Sequence, residues 1–95
     1  MKILVMKIDL RASWVHSLKE KRMVVKSIIA KLQNKFNISV AEIDNQDLHQ
    51  RITIGISGIF LDSKIGDSMV ENIIDFIEEN TDAEIINIEN ELNHY

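Results

Sequence analysis

The chain has 95 residues, of which 45% are hydrophobic and 27% charged, and its net charge is −4. That length allows one domain with one core, and no apolar run nears the roughly 18 residues that a membrane-spanning helix needs. The absence of cysteine excludes a disulfide framework and thiolate chemistry, and fits an expectation of a cytoplasmic protein.

The net charge hides an asymmetry. Residues 1–36 hold nine Lys/Arg against two acids (+7), and residues 37–95 hold two against thirteen (−11). A bulk basic surface for nucleic acid is therefore absent, while a local basic face stays open.

Lys2 to Arg11 alternates, with Leu4, Met6, Ile8 and Leu10 on one face and Ile3, Val5, Lys7, Asp9 and Arg11 on the other. This predicts a first strand with one buried side, and Lys7 and Asp9 break what would otherwise resemble a signal segment. Ala12 to His16 connects to a helix, with Val15 or His16 expected to pack over the helix start and Trp14 expected to cover one end of the core.

The helix, Ser17 to Phe36, organises the chain. Ser17 is placed as N-cap, with Glu20 three residues on completing a capping box. Leu18, Val25, Ile28, Ile29, Leu32 and Phe36 form the core-facing stripe. Lys19, Arg22 and Lys26 form a basic stripe on one flank. Lys19, Lys21 and Arg22 occupy the first two turns, where the positive end of the helix dipole favours acids. Two readings follow: the cations are solvated with their stems over the core edge, or they hold a place for a phosphate beside free amides.

Ile38 to Asp44 reads as a second strand, Asp44 to Asp47 as a polar turn, and Arg51 to Leu61 as a third strand paired with the second as a hairpin, with Ile52, Ile54, Ile56 and Phe60 on one side and Arg51, Thr53, Gly55 and Ser57 on the other. Gly55 and Gly58 imply a bulge or a close backbone approach there. Asp62 and Ser63 open a second helix to about Asn80. Its expected inner stripe is Ile65, Met69, Ile73, Phe76 and Ile77, and its outer one is acidic. Ala83 to Leu92 is the last strand, followed by a short tail.

The order β-α-β-β-α-β, with one apolar stripe per helix, predicts an α+β ferredoxin-like two-layer sandwich on a four-stranded antiparallel sheet. One sheet face is left bare, carrying small residues, aliphatics and charges. The third strand has no aromatic ring on that face for base stacking, which excludes an RNA-recognition motif. Pairing with another copy through the sheet face or an edge is expected instead.

Catalytic and metal signals are weak. Glu42 to His49 gathers three carboxylates and one imidazole, but it lacks zinc-ligand chemistry and EF-hand spacing, and turn chemistry accounts for Asp44, Asn45 and Asp47 equally well. His16, His49 and His94 are scattered, and no nucleophile signature or phosphate-cradling glycine loop is present. No cofactor, metal or enzymatic activity is expected.

Ser17-Leu18-Lys19-Glu20-Lys21-Arg22, Val24-Val25-Lys26, Lys35 to Glu42, Gln46-Asp47-Leu48 and Gln50-Arg51 together resemble the YlxP-like family of small, largely uncharacterised bacterial proteins. The resemblance spans nearly the whole chain and implies the same ferredoxin-like fold. Genes for such proteins often lie beside those for translation initiation and ribosome-maturation factors, which implies a role near the ribosome or RNA. The neutral Met23, Gln33 and Asn34 depart from the arginine-richer first helix of many members, and imply weaker, less salt-dependent binding.

The leading expectation is a non-enzymatic accessory protein of ribosome maturation or translation. Arg11, Ser17, Lys19, Lys21, Arg22, Lys26 and Arg51 would meet phosphates of ribosomal RNA or a ribosomal subunit. The alternative is a self-associating, homodimeric interaction or regulatory module that binds no nucleic acid. A third option is a small-anion sensor at the Ser17 helix terminus.

Overall fold

The computed structural model describes Met1–Tyr95 in the order β1 (Lys2–Arg11), α1 (Leu18–Lys35), β2 (Ser39–Asp44), β3 (Arg51–Phe60), α2 (Ser63–Asn80) and β4 (Glu84–His94). The strands form one antiparallel sheet in the order β2-β3-β1-β4. Both helices cover one face, giving the ferredoxin-like α+β sandwich that the patterning predicts.

The inward positions of the two central strands alternate as expected: Leu4, Met6, Ile8 and Leu10 from β1, and Ile52, Ile54 and Ile56 from β3, are all buried. Each such side chain contributes about 1.5–3 kcal/mol of transfer free energy. Together with Val25, Ile28 and Leu32 of α1 and Ile73 and Ile77 of α2 they make one core.

Three boundaries and packings differ from expectation. β4 runs through His94, because Lys2 and Ile3 at the start of β1 offer partners to His94 and Asn93; Met1 and Tyr95 then exchange backbone hydrogen bonds. In α2 the inward position near the start is Gly66, while Ile65 is exposed. A Cβ at Gly66 would stand 3.0 Å from Leu92 Cδ1, so the missing side chain lets α2 approach β4. The sheet has two register shifts, one between β1 and β4 at Asp9/Leu10 and one in β2 between Glu42 and Asp44. The shift in β2 lays Ile43 over Gly55, where a Cβ would come within 2.9 Å of Ile43 Cγ2. The close approach inferred at Gly55 is therefore made by a side chain of the neighbouring strand.

Ser17 caps α1 as predicted, its Oγ accepting from the Glu20 amide at 3.1 Å. The return bond of a capping box is not made, and Glu20 turns to a surface groove instead. Asp62 caps α2, accepting from the Ile65 amide at 3.0 Å.

The start of α1 is tied to the sheet by a buried cation. Lys21 is 1% exposed. Its Nζ donates to the Asn45 carbonyl oxygen and lies 3.0 Å from Glu42 Oε2. Glu42 points inward by the β2 alternation, and Asn45 adopts φ 58° just past the strand, a left-handed conformation that asparagine tolerates better than most residues. The Asn45 side chain crosses to the open face, where its Nδ2 donates to Thr53 Oγ1 (2.8 Å), which donates to Asp9 Oδ1 (2.6 Å). One residue thus links the helix layer to the outer face of the sheet.

Breaking a buried pair leaves an uncompensated charge at a cost of about 3–5 kcal/mol, whereas replacing both partners with apolar groups is often near neutral. Glu42→Ala is therefore expected to destabilise the protein by about 3 kcal/mol, and Lys21→Met with Glu42→Leu to recover most of that loss, as read by urea denaturation. A change under about 0.5 kcal/mol for Glu42→Ala would show that the pair contributes nothing. Ser17→Ala removes one cap and should lower stability by about 1 kcal/mol, a fall in Tm of roughly 4–8 °C by calorimetry.

Candidate functional site

The seven residues assigned to an anion contact divide into three groups. Lys21 is the clear correction. It stands at i−4 from Val25 and i−7 from Ile28, the centre of the buried stripe, and its ammonium is engaged by Glu42 and Asn45 inside the protein. It has no access to a phosphate.

Lys19, Arg22 and Lys26 are exposed and share one flank of α1. Neither of the chain's two ion pairs, Lys7–Glu89 and Lys21–Glu42, involves them. The opposite flank of α1, with Glu20, Met23, Val24 and Ser27, faces the C-terminal end of α2. Because α1 packs over β2 and α2 packs over β4, β1 and β3, the basic stripe points away from the acidic helix. At the start of α1, the Ser17 side chain takes the Glu20 amide and the Ser17 carbonyl takes the Lys21 amide at 3.0 Å. The Leu18 and Lys19 amides have no partner within the protein. They open toward the same end of the molecule as the stripe.

Arg11 and Arg51 sit directly opposite each other across the β1–β3 ladder, on the open sheet face and not on the helix layer. Arg11 is exposed; Arg51 is half-buried, and its Nε is sealed from solvent without a hydrogen-bond partner. The two share an end of the fold with Ser17, because Ala12 to Ser17 joins β1 to α1. Gln50 stitches that end together: its carbonyl accepts from the Ala12 amide at 2.8 Å, and its Nε2 donates to the carbonyls of Ser13 and Val15 at 3.0 and 3.1 Å. The structure therefore places the predicted cations on two faces around one edge, and not in a single patch.

The acidic segment after β2 has structural work of its own. Glu42 pairs with Lys21, and Asp44 Oδ1 accepts from the Asn45 amide at 2.7 Å. No three His, Asp or Glu side chains come together in an arrangement that could hold a metal ion.

The largest concavity was not foreseen. It is a groove of about 680 Å³ between α1 and the segment that leaves α2. The helices are antiparallel but offset. Phe36 meets Phe76 edge-on at 5.5 Å, and Lys31 Nζ donates to the Asn80 carbonyl at 3.0 Å, so α2 ends alongside the middle of α1. The first turns of α1 have no helix beside them. Ile28 and Ala83 floor the gap, and Trp14, expected to cover the core, stands 40% exposed on its wall. The exposed Met23 outside the predicted apolar stripe was the available sign.

Comparison with known proteins adds a family but no activity. A solved de novo designed protein, Foldit4, is similar over 100% of this chain and 99% of its own at 15% identity and a TM-score of 0.47, too distant a likeness to inform function. Uncharacterized protein YlxP from Bacillus subtilis (strain 168) is 40% identical over 62 residues, which cover 65% of this chain and 67% of that protein. Residues 3–90 match the family described as protein of unknown function (DUF503), and with the YlxP relative in agreement, the chain belongs to that YlxP-like family.

Proposed function

We propose that this protein is a cytoplasmic, non-enzymatic accessory factor of ribosome maturation or translation that contacts RNA phosphates through the outer flank of α1. The observation that carries this reading is the stripe of Lys19, Arg22 and Lys26: exposed, unpaired with any carboxylate, turned away from α2, and set beside two unengaged helix amides. Cations near the positive end of a helix work against its dipole by about 0.3–1 kcal/mol each, a cost that a phosphate guest would offset. Nothing on this flank reads base edges, so the contact is independent of sequence. Arg11 and Arg51 join it where RNA bends round the end of the sheet.

A second reading, self-association as a homodimeric interaction module, is favoured by the same segregation of charge. The basic flank of α1 in one copy complements the acidic outer face of α2 in another. Sedimentation that shows a monomer at both low and high salt would remove it.

The three phosphate contacts of the stripe alone predict a log–log dependence of affinity on salt with a slope of about −2 on single-stranded RNA, at ~0.7 per contact, which Arg11 and Arg51 steepen where they engage. Lys19→Glu/Arg22→Glu/Lys26→Glu is expected to abolish binding while leaving the fold intact, since all three side chains are exposed. Lys21→Met with Glu42→Leu, which removes the buried pair without leaving a lone charge, should leave the affinity unchanged. Anisotropy titrations across a salt series measure all three; a flat salt response, or undiminished binding by the triple variant, rejects the RNA contact.

A further inference from the structure

The groove beside α1 has a chemistry opposite to that of the basic flank. Its floor is apolar, with Ile28 and Ala83 buried and Val24 half-buried. Two large apolar side chains that a solvated surface gains nothing by exposing stand at its rim: Trp14 at 40% and Met23 at 67% exposure. Around them are four carboxylates, Glu20, Glu78, Glu79 and Asp82, against one cation, Lys31. The Lys31 ammonium is engaged by the Asn80 carbonyl. α2 ends here with no basic residue in its last turn, and Lys31 from α1 is the one cation set against the negative end of its dipole.

We propose that this groove receives a cationic peptide segment of a partner protein, one that carries apolar side chains beside lysine or arginine. The apolar floor, with Met23 as an adaptable contact, takes the aliphatic anchor. Trp14 presents a ring face to a guanidinium or ammonium, and the carboxylates complement the remaining charge. RNA is repelled from this surface. The groove lies on the flank of α1 opposite Lys19, Arg22 and Lys26, so the inference stands independently of the phosphate contact and places two ligands of opposite charge on the two sides of one helix.

Trp14 is the only tryptophan, so its emission reports on the groove directly. The experiment titrates the protein with a tryptophan-free synthetic peptide of leucine and arginine, with a leucine–glutamate peptide and spermidine as parallel arms. The expected result is a saturable change in emission with the leucine–arginine peptide alone. That affinity should fall at least tenfold in Glu78→Lys/Asp82→Lys and in Met23→Glu, and hold within twofold in Arg22→Glu/Lys26→Glu. No change in emission, an equal change with the acidic peptide, or undiminished binding by the groove variants overturns the proposal. Saturation by spermidine alone would assign the groove to a free polyamine. A concentration-dependent change without any peptide would assign it to a second copy of the chain. Either result also overturns it. The RNA titration of the groove variants separates the two sites: Glu78→Lys/Asp82→Lys must retain the RNA affinity lost by the α1 stripe variant.

Discussion

The ammonium of Lys21, enclosed between a carboxylate and a backbone carbonyl, sets the placement of everything at this end of the fold. A lysine that is 1% exposed is tolerated only where its charge is matched, because desolvating an unpaired ammonium costs several kcal/mol. Glu42 and the Asn45 carbonyl supply the match, and to do so β2 must end where it does, with Asn45 turned to positive φ. The rotation of α1 about its axis is set by this contact together with the buried Val25, Ile28 and Leu32 on the same stripe. With Lys21 inward, Lys19, Arg22 and Lys26 fall on the outer flank, and Glu20, Met23 and Ser27 fall on the side of the groove. Asn45 carries the constraint through the sheet to Thr53 and Asp9.

Much of the fold was legible because it rests on periodicity. The alternation in β1 and β3, the Ser17 and Asp62 caps and the order of elements each follow from local residue types whose preferences agree with one another. The rest depends on where elements meet. Lys21 reads as part of a basic run when charges are counted, and as a core position when the wheel is followed from Val25, Ile28 and Leu32 without regard to polarity. Glu42 likewise follows Val40 onto the inward face of β2. Both halves of the clamp were therefore visible as polar residues at apolar positions, and the pairing of two such misfits is itself a signal. The register shift after Glu42 and the offset of α2 against α1 had no local signature. Each is settled by the packing of distant segments, Ile43 over Gly55 and Phe36 against Phe76.

The division of charge along the chain becomes a division in space. α1 lies over β2 and α2 lies over β4, so the basic first helix and the acidic second helix occupy different halves of the helix layer. On the open face the two signs alternate more closely, with Lys7 beside Glu89 and Arg11 in register with both Arg51 and Glu84. At ~10 Å of screening in ordinary salt, the outer flank of α1 is felt as positive by a ligand approaching from the β2 side, whatever the net charge of −4. Total charge is a poor guide to a small domain whose layers separate its signs.

The six residues from Ser17 to Arg22 show why a charged run has to be read by direction. Ser17 closes the helix start, Leu18 is half-buried, Glu20 turns into the groove, Lys21 enters the interior, and Lys19 and Arg22 face outward. Three cations in four residues thus reduce to two at the surface, joined by Lys26 one turn on. An anion contact built from three side chains and two amides is weak and responsive to salt. Under the proposed function, such a contact would suit a factor that must leave an RNA surface as readily as it arrives, and a second, oppositely charged groove on the same helix would let a partner protein decide where that surface is.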